Sequence, residues 1–231
     1  QKSKHKKNFM NTLVYPSFLK GEVEVPPSKS YTQRALLAAL LSAGTSEIVQ
    51  PGSSKDESGM IGAIETLGAK TRLESGHLWV EGGLQPPPGP LNMGESGLGI
   101  RLITPVAAML EKEIRITGEG SLQKRPMDTF EKAIREAGGQ CRTTNGYLPL
   151  TIKGPLTGGT IGLDTPISSQ FLSGLLFALP MAESDSTIRV RNLKSTPYVD
   201  LTLDVLARYG IRIRHHHYET FEISGRQSYK P

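Results

Sequence analysis

The stretch Pro26-Pro27-Ser28-Lys29-Ser30-Tyr31-Thr32-Gln33-Arg34 leads directly into the apolar run Ala35–Leu41. This pattern predicts a turn that carries a lysine and a serine into the first turn of a buried helix. Helix N-termini favour anionic ligands because they present free N–H groups and about half a positive charge. Lys29 and Arg34 add two full charges. The stretch therefore predicts a site for a phosphorylated or carboxylated small molecule.

The composition bounds the class of protein in which this site lies. The 231 residues suffice for one large domain or two small ones. No apolar run approaches the ~20 residues that span a bilayer, and the basic N-terminus lacks the apolar segment of a secretory signal. Cys141 is the single cysteine, which excludes an intrachain disulfide and favours a reducing, cytoplasmic location. We expect no membrane partner.

The net charge of +5 is concentrated at the N-terminus, because residues 2–7 contain four lysines and no acid. The remaining chain is close to neutral, which argues against a broad nucleic-acid surface. We therefore expect residues 1–12 to form a flexible basic tail, and we expect no nucleic-acid partner.

An internal repeat organises the rest of the chain. Each copy contains an apolar helix, an alternating strand, an amphipathic helix that ends at a glycine, and a hairpin. The helix-ending glycines Gly68, Gly138 and Gly210 are almost equally spaced. The repeats are predicted at about residues 22–83, 92–154 and 160–225. Together they form a domain of residues 13–225, and residues 226–231 are predicted to be a hinge toward a missing second domain.

The two types of helix predict the architecture. The run Phe171–Leu179 is apolar on every side, so this helix must be buried all round. Residues 130–137 instead alternate between an apolar stripe and charged side chains, as expected of a half-exposed helix. The predicted fold is therefore α/β (α+β), with three βαβαββ repeats, buried parallel helices and outer sheets. Pro105 is expected to bend the second buried helix.

Quasi-symmetry is expected to bring the N-termini of the three buried helices together. They carry Lys29-Ser30, Ser96-Gly97 and Ser168-Ser169-Gln170. The turns before two amphipathic helices add Lys124-Arg125-Pro126 and Ser195-Thr196-Pro197-Tyr198. The combination of cations, hydroxyls, an amide and helix dipoles suits a polyhydroxylated, anionic small molecule.

At these residues the chain resembles the 5-enolpyruvylshikimate-3-phosphate synthase family, whose members are 3-phosphoshikimate 1-carboxyvinyltransferases. Five segments match in family order, at least one in each repeat. They are Pro27-Ser28-Lys29-Ser30 with Arg34, Gly97 with Arg101, Lys124-Arg125-Pro126, Ser168-Ser169-Gln170, and Ser195-Thr196-Pro197-Tyr198. The resemblance extends over essentially residues 13–231.

The resemblance implies one domain of the two-domain enolpyruvyl transferase fold. It implies a transferase of the shikimate pathway, which leads to chorismate and the aromatic amino acids. The enolpyruvyl group of phosphoenolpyruvate passes to the 5-hydroxyl of shikimate 3-phosphate, with release of phosphate, through a tetrahedral intermediate. Neither a metal nor an organic cofactor is expected. The missing C-terminal domain would supply the acid and base carboxylates, so this chain is expected to bind shikimate 3-phosphate weakly, to lack turnover, and to be a monomer.

The resemblance also implies a role for each matched position. Lys29 is implied to be catalytic, because it would stabilise developing charge. The implied contacts to shikimate 3-phosphate come from Ser30, Arg34, Ser168, Ser169, Gln170, Ser195 and Tyr198. The implied contacts to phosphoenolpyruvate come from Lys29, Gly97, Arg125 and Gln170.

Two positions depart from the family pattern. Glu95-Ser96-Gly97-Leu98 stands where Asn-Ala-Gly-Thr is common, and Leu102 stands where proline is usual. A carboxylate beside an anion site is unexpected, so Glu95 should either point away or pair with a cation. A structural ion pair with Glu95 is the alternative to a role for Arg101 in the site.

Two other functions stay open, and a metal site is also considered. One is the related enzyme that transfers enolpyruvyl to UDP-N-acetylglucosamine, although Ser30 occupies the position where that enzyme has asparagine. A second is a non-catalytic RNA-binding relative of the same repeat. A metal site at His215-His216-His217 is disfavoured, because neighbours on a strand point to opposite faces.

Overall fold

The computed structural model describes residues 12–13, 15–18, 20–163 and 168–231. The predicted tail at residues 1–12 therefore lies almost entirely outside the described residues. Residues 20–28 form no helix or strand, and the first element begins at Lys29.

Six α-helices alternate with eleven strands in the described residues. The helices are α1 (Lys29–Leu41), α2 (Lys55–Thr66), α3 (Gly97–Ala107), α4 (Thr129–Glu136), α5 (Ser169–Ala178) and α6 (Thr196–Arg208). The strands are β1 (Thr45–Val49), β2 (Lys70–Glu74), β3 (His77–Glu81), β4 (Leu91–Asn92), β5 (Ile114–Thr117), β6 (Gln140–Thr144), β7 (Tyr147–Lys153), β8 (Gly159–Leu163), β9 (Ser186–Val190), β10 (Ile213–His216) and β11 (Thr220–Ile223). Short 3-10 helices lie at Gly120–Lys124 and Leu179–Met181.

The strands form three separate sheets, one for each predicted repeat. Their orders are β1-β3-β2, β4-β5-β7-β6 and β10-β11-β9-β8. The pairs β4–β5 and β8–β9 are parallel, and all other pairs are antiparallel. The hairpins turn where the sequence predicted, since Asn145 and Gly146 both have positive φ, as a two-residue hairpin turn requires. The first sheet has three strands, whereas each of the others has four.

The three apolar helices α1, α3 and α5 form the core, as predicted. Every residue of α3 is buried, and α3 continues through Pro105 to Ala107. Helices α3 and α5 approach closely at Gly174, where a Cβ would collide with the carbonyl oxygen of Arg101 and the ring of Pro105. The amphipathic α4 buries only Phe130, Ala133 and Ile134. No helix of the described residues is long and apolar enough to cross a membrane.

Candidate functional site

The starts of α1, α3, α5 and α6 surround one pocket of about 340 Å³, which we call the helix-start pocket. All ten predicted site residues line it: Lys29, Ser30, Arg34, Gly97, Arg125, Ser168, Ser169, Gln170, Ser195 and Tyr198. Asp56, Glu95 and Leu98 complete the lining. The predicted convergence of the helix N-termini is therefore present in the structure.

A serine caps each of the three buried helices at this pocket. Ser28 Oγ accepts a hydrogen bond from Tyr31 N at 3.3 Å. Ser96 Oγ accepts one from Gly99 N at 3.0 Å, and Ser168 Oγ accepts one from Gln170 N at 3.3 Å. These caps fix where each helix begins, so they orient the positive ends of three helix dipoles toward the pocket.

Lys29 lies in an ion pair at the mouth of the pocket. Its Nζ is 2.7 Å from Asp56 Oδ2, and the two side chains are 52% and 28% exposed. An exposed pair of this kind adds little to stability. The lysine charge is therefore held in place while it stays accessible to an anion that competes with Asp56.

Arg34 is fully buried, with 0% of its surface exposed. It donates to Thr202 Oγ1 at 2.8 Å, Ser30 O at 2.9 Å, Tyr198 O at 3.3 Å and Ser173 Oγ at 3.4 Å. These acceptors are neutral and come from α1, α5 and α6. Burial lowers the pKa of Arg34 to about 10, so the guanidinium stays charged at neutral pH. Arg34 thus brings a buried positive charge to the wall of the pocket.

Arg101 orients Gln170 rather than pairing with Glu95, so the alternative raised for it from the sequence is wrong. Its Nη1 donates to Gly97 O at 2.8 Å and to Gln170 Oε1 at 3.2 Å. The guanidinium also lies over the ring of Phe171, 4.8 Å from its centroid. Burial and the nearby charge of Arg125 lower the pKa of Arg101 to about 10.

Glu95 lines the pocket and accepts a backbone hydrogen bond, so it neither points away nor relies on a cation. Its Oε2 accepts from Ser121 N at 2.9 Å. The hydrogen bonds from Ser121 lower the pKa of Glu95, with smaller contributions from Lys55 and Arg125. The carboxylate holds the start of the turn that leads to Arg125. A Cβ on Gly97 would collide with the Arg125 guanidinium, which shows how closely that arginine approaches α3.

The remaining wall joins the starts of α5 and α6. Ser168 forms a parallel bridge with Lys194, which places the first turn of α5 beside the residues before α6. Ser195 has φ of 64°, a left-handed conformation that is uncommon outside glycine. This backbone brings both Ser195 and Tyr198 to the pocket.

The arrangement can bind an anion with several oxygens. Two carboxylates, Asp56 and Glu95, line the pocket. Their negative charge is offset by three cations, Lys29, Arg34 and Arg125, and by the dipoles of four helix starts. Such preorganised donors stabilise charge without reorganisation at the moment of reaction. Within the described residues, no group of three or more His, Cys, Asp or Glu side chains is placed to hold a metal ion.

The sequence did not identify Asp56 or Leu98 as pocket residues, and it did not predict that Glu95 lines the pocket. A signal for Asp56 existed, because the stretch Ser53-Ser54-Lys55-Asp56 contains the start of α2, the amphipathic helix of the first repeat. It corresponds to the turns that were selected in the second and third repeats. Lys124, which was grouped with Arg125, is not part of the pocket lining.

The fold and the pocket define a three-repeat α/β domain with a cation-rich cleft at the starts of its helices. The family model of EPSP synthase (3-phosphoshikimate 1-carboxyvinyltransferase) matches residues 14–231. The chain therefore belongs to the EPSP synthase family.

Similar proteins agree with this assignment. The chain is 37% identical over 230 residues to a 3-phosphoshikimate 1-carboxyvinyltransferase of Clostridium beijerinckii, with 95% of this chain and 53% of that protein covered. It is 37% identical over 220 residues to the protein of the same name from Clostridium kluyveri, covering 94% and 52%. A solved EPSP synthase of Acinetobacter baumannii superposes with a TM-score of 0.79 at 27% identity, covering 91% and 48%. The chain thus spans about half the length of the relatives it matches.

Proposed function

We propose that this chain is the shikimate 3-phosphate-binding half of a 3-phosphoshikimate 1-carboxyvinyltransferase. The complete enzyme would transfer the enolpyruvyl group of phosphoenolpyruvate to the 5-hydroxyl of shikimate 3-phosphate and release phosphate. One observation carries the proposal. Ten positions, chosen from motifs in all three repeats, line a single pocket that the starts of four helices surround.

The charges of the helix-start pocket suit the two substrates. Arg34 lies against α5 and α6, because it donates to Ser173 Oγ and Tyr198 O. We assign Arg34 and the pocket residues at the starts of these two helices to shikimate 3-phosphate. We assign Lys29, Gly97 and Arg125 to phosphoenolpyruvate, together with Gln170, which would contact both substrates. Lys29 has the catalytic role, because an ammonium that can leave Asp56 is able to stabilise charge that develops between the two anions.

The partner of this half is a second domain that completes the cleft and supplies the acid and base groups. We place the enzyme in the cytoplasm as a monomer that uses no metal or organic cofactor. In this proposal, residues 226–231 form the hinge to that second domain.

Titration calorimetry with shikimate 3-phosphate tests the proposal on this chain alone. We expect weak, saturable binding that Arg34→Lys weakens by about 10- to 100-fold, and no release of phosphate when phosphoenolpyruvate is added. UDP-N-acetylglucosamine is the matched control ligand and should not bind. Binding of the sugar nucleotide in place of shikimate 3-phosphate would overturn the proposal. Turnover by this chain alone would contradict the assignment of the acid and base groups to a second domain.

A further inference from the structure

We propose that Thr202 and Ser173 are positioning residues that aim the charge of Arg34 at the bound anion. Neither hydroxyl lines the helix-start pocket, so neither would touch the ligand. They act through Arg34, which does line it. The inference rests on the proposed function, because it takes shikimate 3-phosphate as the anion. It assigns roles to two residues that the sequence motifs did not select.

Arg34 is a buried arginine without a counter-ion among the described residues. Its surface is 0% exposed, and its four hydrogen bonds go to two hydroxyls and two backbone carbonyls. A buried charge is costly unless hydrogen bonds or an opposite charge compensate it. Hydroxyl and carbonyl oxygens satisfy the guanidinium donors but leave the net charge in place. The positive charge is therefore not cancelled before an anion enters the pocket.

The hydroxyl of Thr202 is fully used by three hydrogen bonds. A hydroxyl can donate one hydrogen bond and accept two. Thr202 Oγ1 donates to Tyr198 O at 2.8 Å. It must therefore accept the other two bonds, from Arg34 Nε at 2.8 Å and from Ser173 Oγ, also at 2.8 Å. The acceptor that faces Arg34 Nε is thus held in place by α5 and by the first turn of α6.

The same count makes Ser173 an acceptor for the arginine. Its proton is directed at Thr202, so its oxygen is able to accept from Arg34 Nη2 at 3.4 Å. The two hydroxyls therefore hold two nitrogens of the guanidinium, and Ser30 O holds Nη1 at 2.9 Å. Because the guanidinium is planar, three fixed nitrogens set its orientation.

One donor of Arg34 remains for a ligand. A guanidinium has five N–H groups, and the described residues accept four hydrogen bonds from it. The second N–H of Nη1 has no acceptor in this part of the chain. Since Arg34 lines the helix-start pocket, we assign this donor to the anion.

The rival interpretation is that Thr202 serves only its own helix. A buried threonine can donate to the carbonyl four residues earlier, and Thr104 does so in α3, at 2.7 Å to Ile100 O. Thr104 is as fully buried as Thr202. Its hydroxyl accepts no hydrogen bond from an arginine within the described ranges, whereas that of Thr202 does. Thr104 is therefore a matched control.

The test replaces each threonine by valine, which keeps the shape of the side chain and removes the hydroxyl. The first readout is titration calorimetry of the full chain with shikimate 3-phosphate. We expect Thr202→Val to weaken binding by about tenfold, because Arg34 Nε would lose its acceptor. Thr104→Val should bind normally, and Thr202→Ser should restore binding because it restores the hydroxyl. Equal affinities of Thr202→Val and Thr104→Val would overturn the inference.

Ser173→Ala is a second variant that keeps the inference testable even where Thr202→Val does not fold. It removes one acceptor of Arg34 Nη2, while Tyr198 O at 3.3 Å remains. We therefore expect a smaller loss of affinity, of about threefold. Unchanged affinity in Ser173→Ala would overturn the role of Ser173.

A double variant shows whether Thr202 acts through Arg34. In a chain that carries Arg34→Lys, the change Thr202→Val should cause little further loss, because both changes remove the same interaction. A purely structural role would give losses that add. A further loss as large as in the unchanged chain would overturn the inference.

Nuclear magnetic resonance adds a readout that needs no ligand. The Nε proton of Arg34 should exchange slowly with solvent in the unchanged chain and in Thr104→Val, because it is buried and hydrogen-bonded. It should exchange faster in Thr202→Val. Absent binding of shikimate 3-phosphate with this exchange pattern would refute only the proposed function. Intact binding that Thr202→Val does not weaken would refute only the inference.

Discussion

A cleft of about 600 Å³ lined by β1, Tyr31 and Val205, the β1 cleft, is nearly twice as large as the helix-start pocket of about 340 Å³, yet more charged side chains line the smaller cavity. Four helix starts and three cations line the helix-start pocket. In the β1 cleft, Arg208 already pairs with Asp204 at 3.0 Å, and Glu47 with His77. The larger cleft lies along the edge of β1 that pairs with no other described strand. The smaller pocket lies where helix starts converge, and this difference teaches that the charged residues, rather than the volume, indicate a site for an anion.

Replacement of Arg34 should give the largest effect, because Arg34 is fully buried, whereas Arg208, the arginine of the β1 cleft, has a side chain that is 66% exposed. Arg34→Lys keeps the charge but loses the planar fork that contacts Thr202 and Ser173. We expect affinity for shikimate 3-phosphate to fall by about 10- to 100-fold, from charge-assisted hydrogen bonds of ~1.5–3 kcal/mol. Arg208→Lys in the β1 cleft is the control and should bind normally in calorimetry. Equal losses in the two variants would remove the distinction between the cavities.

Lys29 should have the next largest effect, on binding rather than on stability. Lys29→Met removes a cation whose partner Asp56 is on the surface. We expect about tenfold weaker binding of inorganic phosphate, the probe of the side assigned to phosphoenolpyruvate, and a thermal midpoint close to that of the unchanged chain. Asp56→Asn frees the lysine and should bind at least as tightly. A lower midpoint with normal binding would mean that the pair is structural.

Glu95→Gln should strengthen anion binding, because it removes a negative charge beside Arg125. Loss of this screened repulsion should give about threefold tighter binding of inorganic phosphate at pH 7. The hydrogen bonds that lower the pKa of Glu95 keep it ionised at neutral pH, so the gain should be constant there. It should disappear as the pH falls through that lowered pKa, where the unchanged chain loses the same charge. Glu47→Gln in the β1 cleft is the control, and an equal gain there would contradict a local effect.

Tyr229→Phe should have the smallest effect on ligand binding, because Tyr229 lies outside the helix-start pocket. It removes the 2.6 Å hydrogen bond to Phe177 O. The loss costs about 1 kcal/mol and should lower the thermal midpoint by about 2–4 °C in a domain of this size. Calorimetry should show unchanged binding of shikimate 3-phosphate. Weaker binding would show that the two cavities are coupled.

The sequence was sufficient for the repeats and for the convergence of the helix starts. The apolar runs, the glycines that end helices and the turn at Asn145-Gly146 are local signals, and the structure follows them. The residues of the helix-start pocket could be selected because each of three repeats places small polar residues before a buried helix.

Contacts between distant repeats could not be predicted in this way. The burial of Arg34 depends on Ser173 and Thr202 of the third repeat. Within single repeats, the pairing of Lys29 with Asp56 and that of Glu95 with Ser121 depend on how the loops place successive elements. Periodicity reports which face of an element is apolar, but it does not report which side chain from another repeat meets that face.

The connections that lead into β4 and β8 have a consequence for folding. Each connection bonds back to the repeat that it leaves, through Gln85 N to Leu67 O and Thr157 N to Ala137 O, before it enters the next sheet, so neighbouring repeats share backbone hydrogen bonds. Unlike a stack of self-sufficient modules, whose units can open singly, the three repeats should melt in one cooperative transition. An isolated repeat should therefore be unable to fold.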